Sequence, residues 1–302
     1  MTRKPIDVFG LGQCCIDYIA RVEHYPPADA KCEFTEMVVQ GGGPVATALV
    51  ALSRWGVNCA FAGVAGEDRF GVMIHKTLVQ EGVDADGLIV RKKHMSQFAF
   101  IVAEPGVGRR TVFWRRPTGP PPRADEIDLS RVRGAKVLHT DGLFIEASLA
   151  AAREAKKAGI AVVVDAGSLR EGMLDLALES DYFIASEKFA RELLGKNDPL
   201  EACRKMAELG PRVVGVTLGA KGYVALANGK WIDKPAYEVD AVDTTGCGDI
   251  FHAGVSYGVL RGWDIEKSLD FGAWAAARTS TRLGGREGIP TKDEIAREGW
   301  DR

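Results

Sequence analysis

The residues best suited to chemistry stand together at Asp243-Thr244-Thr245-Gly246-Cys247-Gly248-Asp249. A strand-like apolar approach ends there in a tight polar loop, which opens into a helical run from Ile250 to about Leu260. Gly246 and Gly248 remove Cβ atoms where a backbone must bend sharply or approach a ligand closely. The first N–H groups of a helix lack intrahelical partners and carry the positive end of its dipole, so a glycine turn feeding a helix is a seat for phosphate. Asp249 stands beside that seat, where a carboxylate can take the proton of an attacking hydroxyl. Complementing the helix dipole would account for one aspartate, but not for Asp243, two threonines and two glycines beside it.

Other candidates are spread along the chain. Asp17 lies in the alternating run Ile16–Val22, and a carboxylate among apolar strand residues needs a partner that a sugar hydroxyl can supply. In Gln40-Gly41-Gly42-Gly43-Pro44 the proline suits the first turn of a helix, and the glycines free the backbone to approach a ligand. Gly10-Leu11-Gly12-Gln13-Cys14-Cys15 lacks the third glycine of a dinucleotide fingerprint and runs into a strand where that fold needs a helix, which excludes a nicotinamide site.

Composition narrows the classes further. The chain has 302 residues, 46% of them hydrophobic, and a net charge of -2, so no basic field points to nucleic acid. Its six cysteines form no CxxC pair, and no histidine stands at metal-ligand spacing, so neither a disulfide framework nor a zinc site is expected. No apolar stretch reaches the length of a membrane span, and the apolar run after Met1-Thr2-Arg3-Lys4-Pro5 is too short for a signal peptide. The expectation is a reduced, cytoplasmic protein with no membrane partner.

The elements that must position these residues read as alternating strands and helices. Strands are expected at Ile6–Leu11, Asn58–Val64, Val137–His139, Ile160–Asp165, Asp181–Ala185 and Val213–Leu218. Helices are expected at Val45–Trp55, Phe70–Gln80, Ala147–Ala158, Leu174–Leu178, Phe189–Leu194 and Leu200–Leu209, with a hairpin from Gly222 to Pro235 turning at Asn228-Gly229. Such a rhythm implies an α/β fold with a mostly parallel sheet and helices on both faces. Ligands then sit at the carboxyl ends of strands, where Asp17, Gly42, Gly43, Asp141, Thr217–Gly222 and Asp249 fall. Four β segments stand outside the rhythm: Ile16–Val22, Glu33–Val39, and Ser96–Val102 with Arg110–Trp114 around a turn at Glu104-Pro105-Gly106-Val107-Gly108. They predict a small separate sheet or lid, formed by segments of about 16–40 and 96–116 inserted in one domain spanning 1–302.

These residues resemble the ribokinase-like, or PfkB, carbohydrate kinases. Asp243–Asp249 is similar to the family's D-T-x-G-A-G-D, with Cys247 in the usual alanine place. Gly42-Gly43, the helix to Gly56 and then Gly63-x-x-Gly66-Glu67-Asp68 are similar to its G-G opening. The resemblance runs from about Asp7 to Pro290 and implies a ribokinase-like fold with a β lid and ATP-dependent phosphorylation of a sugar hydroxyl. It makes Asp249 the general base and the amides of Gly246, Cys247 and Gly248 an anion hole. It makes Asp17 a sugar ligand, with Gly42, Gly43, Thr47 and Asp141 around the acceptor. Thr217-Leu218-Gly219-Ala220-Lys221-Gly222 resembles the T-L-G-x-x-G turn that contacts ATP, so Thr217, Gly219, Lys221 and Gly222 fall on the nucleotide side with Ser186. Asp243 and Thr245 fall where many members bind a monovalent cation, which implies K+ dependence.

Two departures bear on substrate and metal. The family's N-x-x-E, which organises Mg2+ and phosphate, is replaced by Ser186-Glu187-Lys188-Phe189; either Glu187 substitutes or Mg2+ is held mainly through ATP. Thr47 stands where many sugar kinases place an asparagine that touches the sugar. The G-G-G-P opening, Ser186-Glu187 and Gly284-Gly285-Arg286-x-Gly288-Ile289-Pro290 resemble the branch that includes sulfofructose kinase. Such an acceptor carries an anionic group, for which Lys31, Arg115 and Arg116 of the lid are candidate partners. The competing readings are a nucleoside kinase of the same fold and a non-catalytic sugar or nucleotide sensor. Phe34, Phe98, Phe100 and Phe113 point to a homodimer formed through the lid.

Overall fold

Strands that read as near-continuous apolar runs need cover on both faces, and the structure supplies it. The computed structural model describes residues 5–104 and 109–301. Its main sheet contains β1 (Val8–Leu11), β4 (Cys59–Gly66), β5 (Asp84–Arg91), β8 (Val137–Thr140), β9 (Ala161–Ala166), β10 (Tyr182–Ser186), β11 (Val213–Thr217), β12 (Tyr223–Ala227) and β13 (Lys230–Lys234). The strand order is β13-β12-β11-β10-β9-β8-β1-β4-β5. Pairing is parallel from β11 to β5, and the β12–β13 hairpin adds two antiparallel strands at one edge.

Each strand feeds two cores. On one side, Val8, Val163, Ile184 and Val213 pack with α1 (Pro44–Arg54), α2 (Arg69–Gln80), α8 (Cys247–Arg261), α9 (Ile265–Ser280) and α10 (Lys292–Arg297). On the other, Phe9, Val162, Val164 and Val214 pack with α3 (Leu129–Arg133), α4 (Ile145–Lys157), α5 (Met173–Leu178), α6 (Glu187–Leu194) and α7 (Pro199–Ala207). The helix α8 is buried from Ile250 to Gly258, because it lies between the sheet and α9. Gly254 and Gly272 let these two helices touch through their backbones, since a Cβ on Gly254 would collide with the Gly272 Cα. The sequence reading carried no expectation for α3, α9 or α10.

The four β segments form a second sheet, ordered β3-β2-β6-β7, from β2 (Cys15–Arg21), β3 (Glu36–Gly42), β6 (Phe98–Glu104) and β7 (Arg109–Arg115). The turn expected at Pro105–Gly108 lies outside the described residues, as do residues 1–4. β3 begins at Glu36 rather than Glu33 and continues past Val39 through Gly41 and Gly42. Only Gly43 adopts a positive φ, 96°, as the chain swings into α1. Side chains alternate across a strand, so the lid has two distinct faces. Ile19, Ala99, Ile101 and Ala103 pack toward Leu283 and Val242 of the main body. Val39, Tyr18, Phe100 and Phe113 form a cross-strand row on the opposite face.

Candidate active site

The turn before α8 has the geometry its composition implies. Gly246 has a φ of 76°, and a Cβ there would come within 2.7 Å of the Gly285 Cα. Asp243 shapes the turn: Oδ1 accepts from the Thr245 amide at 2.9 Å and its hydroxyl at 2.7 Å, and Oδ2 accepts from the Gly284 amide at 2.9 Å. Oδ1 thus closes the loop on itself, and Oδ2 ties it to Gly284. A Cβ on Gly248 would meet nothing within 4 Å, so the helix N-terminus faces open space of the kind an anion fills. Burial pushes the Cys247 thiol up to about 12, so it stays protonated, and its amide donates to the Thr244 carbonyl at 3.3 Å.

Asp249 stands in the first turn of α8. Burial first, and then the negative charges of Asp165, Asp17 and Asp141, push its pKa well above the usual carboxylate range, while Arg110 opposes them. Four carboxylates thus converge from α8, β2 and the ends of β8 and β9. Asp141 is buried; Oδ2 accepts from the Gln13 amide at 2.8 Å and Oδ1 from the Leu143 amide at 2.9 Å. Burial raises its pKa to about 6. Glycine at position 12 is required because a Cβ there would collide with the Asp141 carboxylate.

Asp17 is 6% exposed and accepts from the Cys15 thiol at 3.1 Å. Burial raises its pKa, while the Cys15 hydrogen bond and the charge of Arg286 pull it down. Gly42 lies directly beside it, and a Cβ at that position would fall on Asp17 Oδ2. Thr47 is buried in α1, one turn from Gly43, to whose carbonyl its amide donates at 2.9 Å. The charges of Asp17 and Asp141 both reach Asp249, and Gly42 lies against Asp17.

Lid parity separates two residues that were expected together. Asp17 pairs with Ala99, whereas Arg115 pairs with Phe98, so Arg115 lies on the opposite face of the lid. There it lines a cavity of about 470 Å³ with Tyr18, Phe70 and Phe100, away from Asp17. Lys31 is exposed on the β2–β3 connection, and the Arg116 guanidinium lies 5.1 Å from the Trp114 ring. Two lid arginines, Arg21 and Arg110, share the face of Asp17, both paired with Ala103, and Arg110 is the one that reaches the Thr244 carbonyl and hydroxyl oxygens. It was missed because Arg109-Arg110 read as a solvated basic pair. Asp165, also missed, carried a usable signal: it lies near the carboxyl end of a valine-rich strand.

Parallel pairing puts Ser186 beside Thr217. Ser186 caps α6, accepting from the Phe189 amide at 3.0 Å and donating to the Gly167 carbonyl at 2.8 Å. Gly219 and Gly222 have φ values of 60° and 94°, and a Cβ on Gly222 would collide with the Lys234 carbonyl. Glu187 accepts from Asn197 at 3.1 Å and lies 3.9 Å from Lys221 Nζ. Among the described residues, no group of three or more His, Cys, Asp or Glu side chains is arranged to hold a metal ion, and no helix is long and apolar enough to cross a membrane.

This layout has counterparts among known proteins. A sequence model described as "pfkB family carbohydrate kinase" matches residues 6–292. The chain is 29% identical to an ATP-dependent ribose-1-phosphate kinase of Halopiger xanaduensis over 295 residues, covering 96% of this chain and 97% of that protein. It is 27% identical to a 5-dehydro-2-deoxygluconokinase of Shouchella clausii, covering 97% and 95%. Its fold is similar to that of Arabidopsis thaliana ribokinase complexed with ribose and ATP, with a TM-score of 0.82, 23% identity and coverage of 97% and 98%. It is also similar to adenosine kinase from Sinorhizobium meliloti, with a TM-score of 0.83, 20% identity and coverage of 98% and 99%. With a family match over nearly its whole length and a ribokinase-like fold, the chain belongs to the PfkB family of carbohydrate kinases, phosphotransferases that act on a hydroxyl acceptor.

Proposed function

We propose that this enzyme transfers the γ-phosphoryl group of ATP to a hydroxyl of a sugar or sugar derivative, with Asp249 as general base. The observation that carries this reading is the position of Asp249 between the open phosphate seat at Gly248 and the acceptor-side carboxylates Asp17 and Asp141. Asp17 and Asp141 orient the acceptor through its hydroxyls. Asp249 takes the proton of the attacking oxygen as the bond to the γ-phosphorus forms and the bond to the ADP oxygen breaks. The amides of Gly246, Cys247 and Gly248 stabilise charge on the phosphoryl oxygens. Thr217, Gly219, Lys221, Gly222 and Ser186 form the nucleotide side. Arg110 adds a positive charge from the lid, and lid closure excludes water.

The donor set fits Mg2+ that arrives with ATP, with Glu187 as the nearby carboxylate and phosphate oxygens and waters as the main ligands. Bound there, it neutralises phosphate charge. Asp243 and Thr245 are the candidates for a K+ site, which replacing sodium by potassium in the assay tests. For an anionic acceptor, Arg110 is the lid cation that reaches the Thr244 turn, whereas Arg115 lies on the far face.

The deciding experiment is ADP release measured with Mg·ATP and a panel of acceptors. The panel contains ribose, ribose 1-phosphate, fructose, 5-dehydro-2-deoxygluconate, a sulfo-sugar and adenosine. A sugar-dependent signal supports the reading, an adenosine-only signal replaces it with nucleoside kinase, and no turnover with any acceptor favours a sensor.

A further inference from the structure

His252 lies one turn beyond Asp249 on α8, and the transfer described above gives it no task. Its side chain is 3% exposed. Nδ1 lies 2.7 Å from the Gly248 carbonyl oxygen and 3.5 Å from Asp165 Oδ2, while Nε2 lies 3.1 Å from the Ile184 carbonyl oxygen in β10. A neutral imidazole has one N–H donor and one lone pair. Facing a carbonyl oxygen at each nitrogen, a neutral ring would aim its lone pair at one of them. Only the doubly protonated ring donates to both, and Asp165 is the counter-charge such a buried cation needs. His139 of β8 meets the ring edge-on at 6.5 Å, and its own Nδ1 is 3.0 Å from the Ser256 hydroxyl. Burial and then the neighbouring His252 charge hold the His139 pKa down to about 3, so it stays neutral. The groups facing the His252 ring are thus Asp165 from β9, His139 from β8, the Ile184 carbonyl from β10, and the Gly248 carbonyl and Phe251 ring from α8.

We propose that His252 is a positioning residue, held as an imidazolium between Asp165 and two main-chain carbonyls, that fixes the peptide between Gly248 and Asp249. In a trans peptide the C=O and N–H point in opposite directions. Holding the Gly248 carbonyl toward His252 therefore aims the Asp249 amide out of the helix, into the open space where the phosphoryl group meets the turn. The same bonds tie the first turn of α8 to β9 and β10, so the base and the amide beside it are set by one buried cation. This inference rests on reading the Gly246–Gly248 turn as the phosphate seat.

Nitrogen-15 NMR of the ligand-free wild-type protein, with the His252 ring signals assigned through bonds from its own backbone resonances, tests the charge state directly. Both ring nitrogens should resonate as protonated at neutral pH; an unprotonated nitrogen there overturns the proposal. Steady-state kinetics with Mg·ATP and the panel's fastest acceptor test the positioning. His252→Gln should lower kcat on the order of 100-fold, as expected for a misplaced reacting group, with the KM values for ATP and acceptor little changed. An unchanged kcat, or a loss confined to KM, overturns it. The wild-type NMR result stands even if the variant fails to fold. An active Asp249→Asn would refute the base assignment while leaving the ring's charge state unaffected.

Discussion

Arg110 of the lid donates to both oxygens of Thr244, with Nη1 at 2.9 Å from the carbonyl oxygen and 2.6 Å from Oγ1, across 134 residues of chain. The small sheet is thereby joined to the loop that carries the base. A lid cation at this position also opposes the burial and the Asp165 charge that raise the Asp249 pKa.

Replacing Arg110 by alanine should therefore lower kcat/KM on the order of 100-fold, the cost of removing one charge-stabilising donor from such a site. Arg110→Lys should recover part of it, because an ammonium restores the charge but not the planar fork. The acid limb of the pH–rate profile should move to higher pH in Arg110→Ala. Wild-type kinetics in the alanine variant would refute this role.

Asp249 must be ionised to accept a proton, and its pKa is raised by burial and then by Asp165. Activity should accordingly fall with decreasing pH from a point well above the ordinary carboxylate range. Asp249→Asn should abolish turnover while ATP still binds, as calorimetry can check. Near-normal turnover would sink the base assignment.

Gly42→Ala places a methyl group on the Asp17 carboxylate. Overpacking of this kind costs about 1–3 kcal/mol of stability, and here it also displaces an acceptor ligand. The KM for the acceptor should rise while that for ATP stays put. Equal effects on both would show that Gly42 serves the fold rather than the acceptor.

Stability should respond to pH through the same carboxylates. The folded-state pKa of Asp141 is raised to about 6 against an ordinary 3.8, so its stabilising proton is fully bound below the unfolded value. That contribution is lost as pH rises through the folded value. Asp17 and Asp249 shift in the same direction, while Asp68 and Glu81 are shifted down and complete their titration at lower pH. For Asp141 alone the loss is on the order of 3 kcal/mol. His139, held down to about 3 against an ordinary 6.5, works in the opposite sense. The Asp141 contribution is therefore read as the Tm of the ligand-free wild type minus that of Asp141→Asn, by differential scanning calorimetry. That difference should fall between about pH 4 and about pH 7. A flat or rising difference would contradict this.

The row Val39–Tyr18–Phe100–Phe113 on the outer lid face has three members between 41% and 51% exposed. A contiguous apolar row of this kind fits an interface between copies of the chain. Light scattering should give a dimer for the wild type and a monomer for Phe113→Glu. A monomeric wild type would remove the dimer from the proposal.

Much of the chemistry was legible in the sequence because it is local. The turn from Asp243 to Asp249 contains its own glycines, its own helix N-terminus and its own base, all within seven residues. Hydrophobic periodicity likewise marked the alternating strands and helices and the four β segments of the lid. Contacts between distant segments were not legible. Nothing in Arg109-Arg110 or Arg115-Arg116 says which arginine faces Asp17, because one residue of register exchanges the two faces of a strand. Nor does the local pattern around His252 reveal an aspartate and a carbonyl brought to it from β9 and β10. The sequence alone therefore determined the reaction class, through short-range backbone geometry. The tertiary structure decided which lid cation reaches Thr244, what shifts the Asp249 carboxylate and what surrounds His252, because those effects depend on burial and on charges far apart in the chain.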